Sequence, residues 1–112
     1  MVDADTTVAR LRERVRAFVQ ARDWEPFQKP KDLAIALSVE ASELVELFLW
    51  RDASARLSKE DRASVRDELA DVITYGLGLA NALDLDLSEA VLDKLRKDER
   101  KYPAGRFRGR AP

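Results

Sequence analysis

Two pairs of carboxylates stand in this sequence at positions where a helix would bury apolar side chains. Glu40 follows the spacing of neighbouring leucines, and Glu43 lies about 60° further round the same predicted helix. Glu68 and Asp71 repeat the three-residue spacing within a second apolar stripe. Ionised carboxylates in apolar surroundings are strongly disfavoured unless they are paired or bind a metal, and four together also repel one another. A divalent cation held between two antiparallel helices would remove both costs.

The chemistry of these side chains narrows the choice of metal. Oxygen ligands without nitrogen or sulfur select Mg²⁺, with Mn²⁺ as a substitute, and Mg²⁺ usually completes its shell with water and substrate phosphates. The chain has no histidine and no cysteine, which excludes Ser-His and Cys-His catalysis, ordinary zinc sites and histidine-containing di-iron centres. The spacing therefore predicts metal-dependent chemistry on a polyphosphate. The alternative is that the acids pair with Lys or Arg of neighbouring helices, or stay solvated.

The hydrophobic pattern predicts the elements that must position these acids. Apolar residues recur with helical spacing, and no run alternates with the period of a strand. Ser58 is the expected N-cap of the third helix, and either Asp86 or Ser88 is the expected N-cap of the fourth. The four helices are expected at residues 6–23, 31–51, 59–83 and from Asp86 to a point before Pro103. The predicted fold class is all-α, a four-helix bundle protomer.

Length and composition indicate one folded unit. The 112 residues, 46% of them apolar, suit a single helical domain at 1–103 followed by a flexible basic tail at 104–112. Twenty basic against 21 acidic side chains give a net charge of −1, which does not indicate a nucleic-acid partner. No stretch approaches a membrane span, and the first residues lack the order of a signal peptide, so a cytoplasmic protein is expected.

The predicted second helix is apolar nearly all round, with Ile35, Val39 and Val45 outside the stripe that carries Glu40. A protomer of four helices cannot easily cover every side of such a helix. Self-association is therefore expected.

The text around the acids resembles the MazG-like, all-α nucleoside triphosphate pyrophosphohydrolases, and among them most closely the dCTP pyrophosphatase branch. The mark of that superfamily is E-x-x-E followed at a distance by E-x-x-D, which here is Glu40 with Glu43 and then Glu68 with Asp71. Further similarity lies at residues 22–30, at 36–48 with Trp50, at 67–72, and in parts of 85–103.

The resemblance implies a reaction, a cofactor and an assembly. The reaction is hydrolysis between the α- and β-phosphates, which gives a nucleoside monophosphate and pyrophosphate. Glu40, Glu43, Glu68 and Asp71 match the Mg²⁺ ligands of these enzymes. The expected substrate is dCTP or a modified dCTP, removed in nucleotide pool house-cleaning. The expected assembly is a homotetramer made of two dimers, with a dimer as second choice.

The resemblance also implies substrate-binding positions. Trp24 and Trp50 match residues that line the base pocket, while Tyr75 could pack or reach the sugar. Lys94 and Tyr102 resemble positions that contact the phosphates or close the site, and an exposed pair of Lys94 with Asp98 is the alternative. Two positions depart from the branch: Asp98 stands in place of the common asparagine, and Gln28 stands at a pocket-entry position that is histidine in eukaryotic relatives. Both departures affect the preferred base and sugar more than the reaction.

Two competing hypotheses remain open on the sequence. The same chemistry could act on dUTP, on purine triphosphates or on phosphoribosyl-ATP, and a substrate panel distinguishes these. The chain could instead be a non-catalytic helical interaction module whose acids form salt bridges. Failure to bind Mg²⁺ would favour that second class.

Overall fold

A computed structural model describes residues 1–112, which form five α-helices and no strand. The predicted all-α class is therefore confirmed, and a short fifth helix is added to the four that were expected. The helices are α1 (Val8–Gln20), α2 (Pro30–Glu46), α3 (Lys59–Leu83), α4 (Leu87–Lys101) and α5 (Ala104–Phe107), with a 3₁₀ turn at Glu25–Phe27.

Side-chain caps define where three of the helices begin. Thr7, Ser58 and Asp86 each accept a hydrogen bond from the backbone N–H three residues later, at 3.1, 3.0 and 2.9 Å. These bonds satisfy N–H groups that have no partner within the helix. The predicted cap at Ser58 is confirmed, and of the two candidates for the fourth helix it is Asp86 that caps α4. The predicted bounds of the third helix agree with α3.

The second helix ends earlier than the sequence predicts, at Glu46 instead of residue 51. Leu47 and Phe48 donate to carbonyls three residues back, at 3.2 and 2.9 Å, so the chain tightens into successive turns. Arg51 holds this segment, since its Nε donates to Leu47 O at 2.7 Å and its guanidinium pairs with Asp61 at 2.8 Å. The helical periodicity of apolar residues continues past Glu46 and so could not mark this end.

The first helix also ends before its predicted limit of residue 23, because Asp23 adopts a left-handed backbone with φ 53°. Trp24 N then donates to Val19 O at 3.1 Å, which closes the turn after the helix. This turn sets where the chain enters the 3₁₀ segment.

The core of the protomer lies between α2 and α3, with α1 packed on α3. Leu33, Leu77 and Ala80 are its buried apolar residues, exposed by 3%, 6% and 2%. Neighbouring positions run in opposite directions along the two helices: Leu33 lies beside Gly78, and Glu40 lies beside Glu68 and Asp71. The α2–α3 pair is therefore antiparallel, and the acids occur on its facing sides.

Much apolar surface remains uncovered in a single copy of the chain. Ile35, Val39 and Val45 of α2 are about half exposed, as are Val91 and Leu92 of α4. No helix has the length and apolar character needed to cross a membrane.

The division into a domain at 1–103 and a tail at 104–112 stays a prediction. Within the tail the chain forms α5, and Phe107 packs edge-on against Tyr102 with 5.2 Å between the ring centroids.

Candidate metal centre and adjoining pocket

The four predicted carboxylates converge between α2 and α3, and we call them the acidic cluster: Glu40, Glu43, Glu68 and Asp71. One oxygen from each of Glu40, Glu68 and Asp71 lies within 4.8 Å of the other two. Glu40 and Glu68 are half-buried, whereas Glu43 and Asp71 are exposed at the rim. Residues three apart on a helix are neighbours, so each helix presents two carboxylates to one point.

No cation of the protein neutralises this cluster. The four salt bridges of the structure join other residues, among them Arg51 with Asp61 and Lys94 with Asp98. Glu40 Oε2 and Glu68 Oε2 are buried and have no hydrogen-bond partner. The alternative hypothesis, in which lysines or arginines form salt bridges with these acids, is therefore wrong.

The crowding of acids raises the pKa of two of them. The pKa of Glu40 rises from 4.5 to about 7, first through a hydrogen bond with Glu43, then through burial, and then through repulsion by Glu43, Asp71 and Glu68. Burial is the main cause that raises the pKa of Glu68, with repulsion from Glu43 and Asp71 next. In the absence of a cation the cluster therefore holds a proton near neutral pH.

These residues fit a hard divalent cation. They supply only carboxylate oxygens, at least three of them close enough to share one ion, and two of the acids bury an oxygen that lacks any partner. A bound cation would satisfy those oxygens and remove the repulsion that raises the two pKa values.

A cavity of about 130 Å³, which we call the aromatic chamber, lies between α1 and α3. Phe18, Trp24 and Tyr75 contribute its rings, with Leu33 and Gln28 among the other lining residues. Phe18 and Trp24 meet edge to face, 5.8 Å apart and inclined at 74°. Such a chamber can accept a flat aromatic ligand.

A second cavity of about 200 Å³, the polar chamber, adjoins the first. Gln28 and Gly78 line both chambers, while Arg16, Glu25 and Asn81 line only the polar one. A Cβ added at Gly78 would lie 3.8 Å from Gln28 Oε1, so the absent side chain leaves room at the junction.

The aromatic chamber lies next to the acidic cluster along α3. Tyr75, which lines the chamber, follows Asp71 by four residues, or about 6 Å of helix rise. A ligand that places a ring in the chamber can therefore direct its other end toward the acids.

The predicted substrate-binding residues divide into two groups. The structure brings Trp24, Gln28 and Tyr75 together in the aromatic chamber. Trp50 is 96% exposed on the turns after α2, and Lys94 pairs with Asp98 on the surface of α4. Tyr102 packs on Phe107, so these last four positions do not line the chamber within one copy of the chain.

The sequence analysis missed one set of residues beside the pocket. Arg12 and Arg16 of α1 donate to Asn81 Oδ1 of α3 through Nε and Nη2, at 2.9 and 3.2 Å. The available signal was Asn81 itself, a polar residue one helical turn after Leu77 on a face that is otherwise buried.

The antiparallel helix pair, its four acids and the adjoining chamber define an all-α protein with a candidate carboxylate metal site. A model of the MazG-like family matches residues 35–110, which carry the whole acidic cluster. The chain belongs to the MazG-like family, and the resemblance stated from the sequence is confirmed.

Named relatives agree with this assignment. The chain is 36% identical over 112 residues to dCTP pyrophosphatase 1 of Bos taurus, covering 96% of this chain and 66% of that protein. It is 38% identical over 104 residues to dCTP pyrophosphatase 1 of Homo sapiens, covering 89% of this chain and 61% of that protein. The chain thus spans just under two thirds of the length of these curated relatives.

A solved structure agrees with the family assignment over almost the whole length of both chains. The crystal structure of a pyrophosphatase from Archaeoglobus fulgidus superposes with a TM-score of 0.75 at 34% sequence identity. The match covers 92% of this chain and 98% of that one.

Proposed function

We propose that this protein is a Mg²⁺-dependent nucleoside triphosphate pyrophosphohydrolase, with dCTP or a modified dCTP as its substrate. It cleaves the bond between the α- and β-phosphates and releases the monophosphate and pyrophosphate. The relatives named above, two dCTP pyrophosphatases and an archaeal pyrophosphatase, support the class of reaction.

The observation that carries the proposal is the pair of buried, unpartnered oxygens on Glu40 and Glu68 within the acidic cluster. A protein does not gain stability by burying such oxygens near one another, because each loses its hydration without a replacement. A cation that occupies the cluster during function would offset the free-energy cost of burying these two oxygens. Mn²⁺ is the expected substitute, since it accepts the same oxygen ligands.

The residues of the chain have distinct tasks in the proposed reaction. Glu40, Glu43, Glu68 and Asp71 would hold the cation, which when bound neutralises phosphate oxygens and lowers the pKa of a bound water. A carboxylate among or beside these ligands would orient the attacking water or accept its proton. Direct attack by water needs no covalent intermediate with a side chain.

The aromatic chamber is the proposed base pocket. Trp24 and Tyr75 offer ring faces and edges for a base, and Gln28 offers an amide that makes no hydrogen bond within the protein. A single-ring base is the proposed occupant of the chamber. This preference would distinguish dCTP and dUTP from the purine substrates.

The remaining substrate positions are proposed to act in an assembly. In a homotetramer of two dimers, Trp50, Lys94, Asp98 and Tyr102 would complete a pocket shared between adjacent chains. The exposed apolar residues of α2 and α4 support self-association, with a dimer as the second choice. The cytoplasm stays the predicted location.

A substrate panel tests the proposal. Specificity constants, kcat/KM, would be measured with Mg²⁺ for dCTP, 5-methyl-dCTP, dUTP, dTTP, dATP, ATP and phosphoribosyl-ATP. We expect the cytosine nucleotides to rank first. Equal or better turnover of the purine compounds would contradict the assignment of the base while leaving the reaction intact.

A further inference from the structure

The side-chain hydrogen bonds that join α1 to distant parts of the chain all end at the last turn of α3 or at Leu85 just beyond it. Arg12 Nε donates to Asn81 Oδ1 at 2.9 Å, and Arg12 Nη2 donates to Ala80 O at 3.3 Å. Arg12 Nη1 donates to Leu85 O just beyond the helix. Arg12 therefore attaches α1 to the last turn of α3 through three separate acceptors.

The attachment is reciprocal. Asn81 Nδ2 donates back to Arg12 O at 3.1 Å, while Arg16 Nη2 donates to Asn81 Oδ1 at 3.2 Å. We call Arg12, Arg16 and Asn81 the clamp. Because these bonds cross between two helices in both directions, they restrict both the separation and the sliding of α1 against α3.

The turn that receives Arg12 is itself well defined. Asp84 has φ 53°, and Leu85 N donates to Ala80 O at 2.9 Å, which closes the end of α3. A guanidinium at this position also interacts favourably with the carbonyl end of the helix dipole. The clamp thus rests on a rigid end of α3 rather than on a loose loop.

The clamp lies about one helical turn from the aromatic chamber on both helices. Val15 follows Arg12 by three residues on α1, and Gly78 precedes Asn81 by three on α3, a rise of about 4.5 Å in each case. Both residues line the chamber. The clamp therefore lies about one helical turn from the part of the chamber wall that α1 and α3 form.

We propose that the clamp is a positioning device that holds α1 against α3, fixes the width of the base pocket and so controls nucleotide affinity rather than the chemical step. The proposal rests on the proposed function, because it takes the aromatic chamber to be the base pocket. Arg12 and Asn81 are positioning residues, since neither belongs to the acidic cluster that would hold the cation.

Kinetics of matched variants provide the first test. Arg12→Met removes the bonds of Arg12, and Asn81→Leu removes the whole set that meets at Asn81. Asn81→Asp keeps the acceptor for both arginines and loses only the donor to Arg12 O. Arg10→Met is the control on the same helix, because the Arg10 side chain makes no hydrogen bond. We expect KM for dCTP to rise about tenfold in the first two variants, because each loses two or more hydrogen bonds that position the pocket. We expect kcat to stay within about twofold, since binding and not chemistry is altered. Asn81→Asp should restore most of the affinity.

A purely structural role would give a different pattern. It would lower the active fraction and hence the apparent kcat with KM unchanged, and it would do so for Asn81→Asp as well. That pattern would overturn the proposal. So would KM values for Arg12→Met and Asn81→Leu that equal the KM of Arg10→Met. The Kd of an α,β-methylene dCTP analogue, measured by calorimetry, checks the KM change without turnover.

Fluorescence of Trp24 separates this proposal from the proposed function. In a Trp50→Phe background Trp24 is the single tryptophan, and it lines the chamber. Loss of the clamp should increase the quenching of Trp24 by acrylamide, whereas Arg10→Met should not. If the parent protein neither binds nor cleaves any nucleotide, the proposed function fails. If acrylamide quenches Trp24 equally in the parent, Arg12→Met and Asn81→Leu, the clamp does not control the width of the chamber. This conclusion holds whether or not the parent is active.

Discussion

Glu40 on α2 and Glu68 on α3 each bury one carboxylate oxygen, Oε2, that has no hydrogen-bond partner, and the two side chains face one another across an antiparallel helix pair. Burial without a partner is unfavourable for each oxygen, and proximity adds repulsion between the two groups. A cation bound between the two helices would stabilise both residues at once.

Neutralising one member of this pair should stabilise the metal-free protein and abolish its response to metal. Glu68→Gln removes a charge that Glu43 and Asp71 repel, so we expect a higher Tm in EDTA than for the parent. Mg²⁺ at about 100 times its Kd should add about 2.7 kcal/mol to the parent, and little or nothing to the variant. Thermal denaturation with and without Mg²⁺ measures both effects.

Asp67→Asn is the matched control for that experiment, because Asp67 is the exposed neighbour of Glu68 on α3 and lies outside the acidic cluster. It should keep the full response to Mg²⁺. An equal loss of the response in both variants would count against a cation bound at Glu68.

The raised pKa of Glu40 predicts that the metal-free protein loses stability as the pH rises. Its pKa is about 7 in the folded protein and 4.5 when unperturbed, so between these values the folded state holds a proton that the unfolded state does not. The stabilising contribution is complete below pH 4.5 and is lost as the pH passes through about 7. Melting temperatures between pH 5 and 8 in EDTA should fall in the parent and change less in Glu40→Gln.

Mg²⁺ should reverse this dependence, because binding requires that the proton leave the cluster. The affinity for Mg²⁺ should therefore increase up to about pH 7 and level off above it. A Mg²⁺ affinity that is independent of pH across this interval would contradict the assignment of Glu40 as a ligand.

Gln28 should influence the choice between pyrimidine and purine substrates. Its side chain lines both the aromatic and the polar chamber, and Gln28→Ala would join the two cavities beside Gly78. We expect the ratio of kcat/KM for dATP to that for dCTP to rise about tenfold, the scale expected when a pocket contact is removed. Gln20→Ala is the control, since Gln20 lines only the polar chamber, and an equal shift in that variant would refute a specific role of Gln28.

Asp84 offers a test of the end of α3 that is independent of any activity. Its φ of 53° is unfavourable for a residue with a side chain, so Asp84→Gly should increase the free energy of unfolding by about 0.5–1 kcal/mol. Asp86→Ala, which removes the N-cap of α4, should instead cost about 1 kcal/mol. Urea denaturation distinguishes the two signs, and destabilisation by Asp84→Gly would contradict this account of the turn.

The helical repeat explains how much of the fold and site could be predicted from the sequence. The bounds of α3, the caps at Ser58 and Asp86, and the convergence of the two acidic pairs follow from local spacing, because helix geometry fixes which residues share a face. The metal and the role of each acid stay predictions.

Long-range contacts explain what could not be predicted. The end of α2 depends on Arg51 bonding to Leu47 O and pairing with Asp61, and the clamp joins Arg12 to Asn81 across 69 residues. Local periodicity carries no information about such pairs. Trp50 and Lys94 lie away from the chamber within one chain, so their predicted roles depend on an assembly that no single-chain pattern specifies.

The most direct test of the central claim is the release of pyrophosphate from dCTP by the parent protein, Glu40→Gln and Asp67→Asn, each with Mg²⁺ and with EDTA. We predict pyrophosphate and dCMP from the parent and from Asp67→Asn with Mg²⁺, and no product with EDTA or from Glu40→Gln. Orthophosphate as the only inorganic product would contradict the assigned cleavage site. Pyrophosphate release that survives EDTA and Glu40→Gln would contradict a metal-dependent reaction at the acidic cluster.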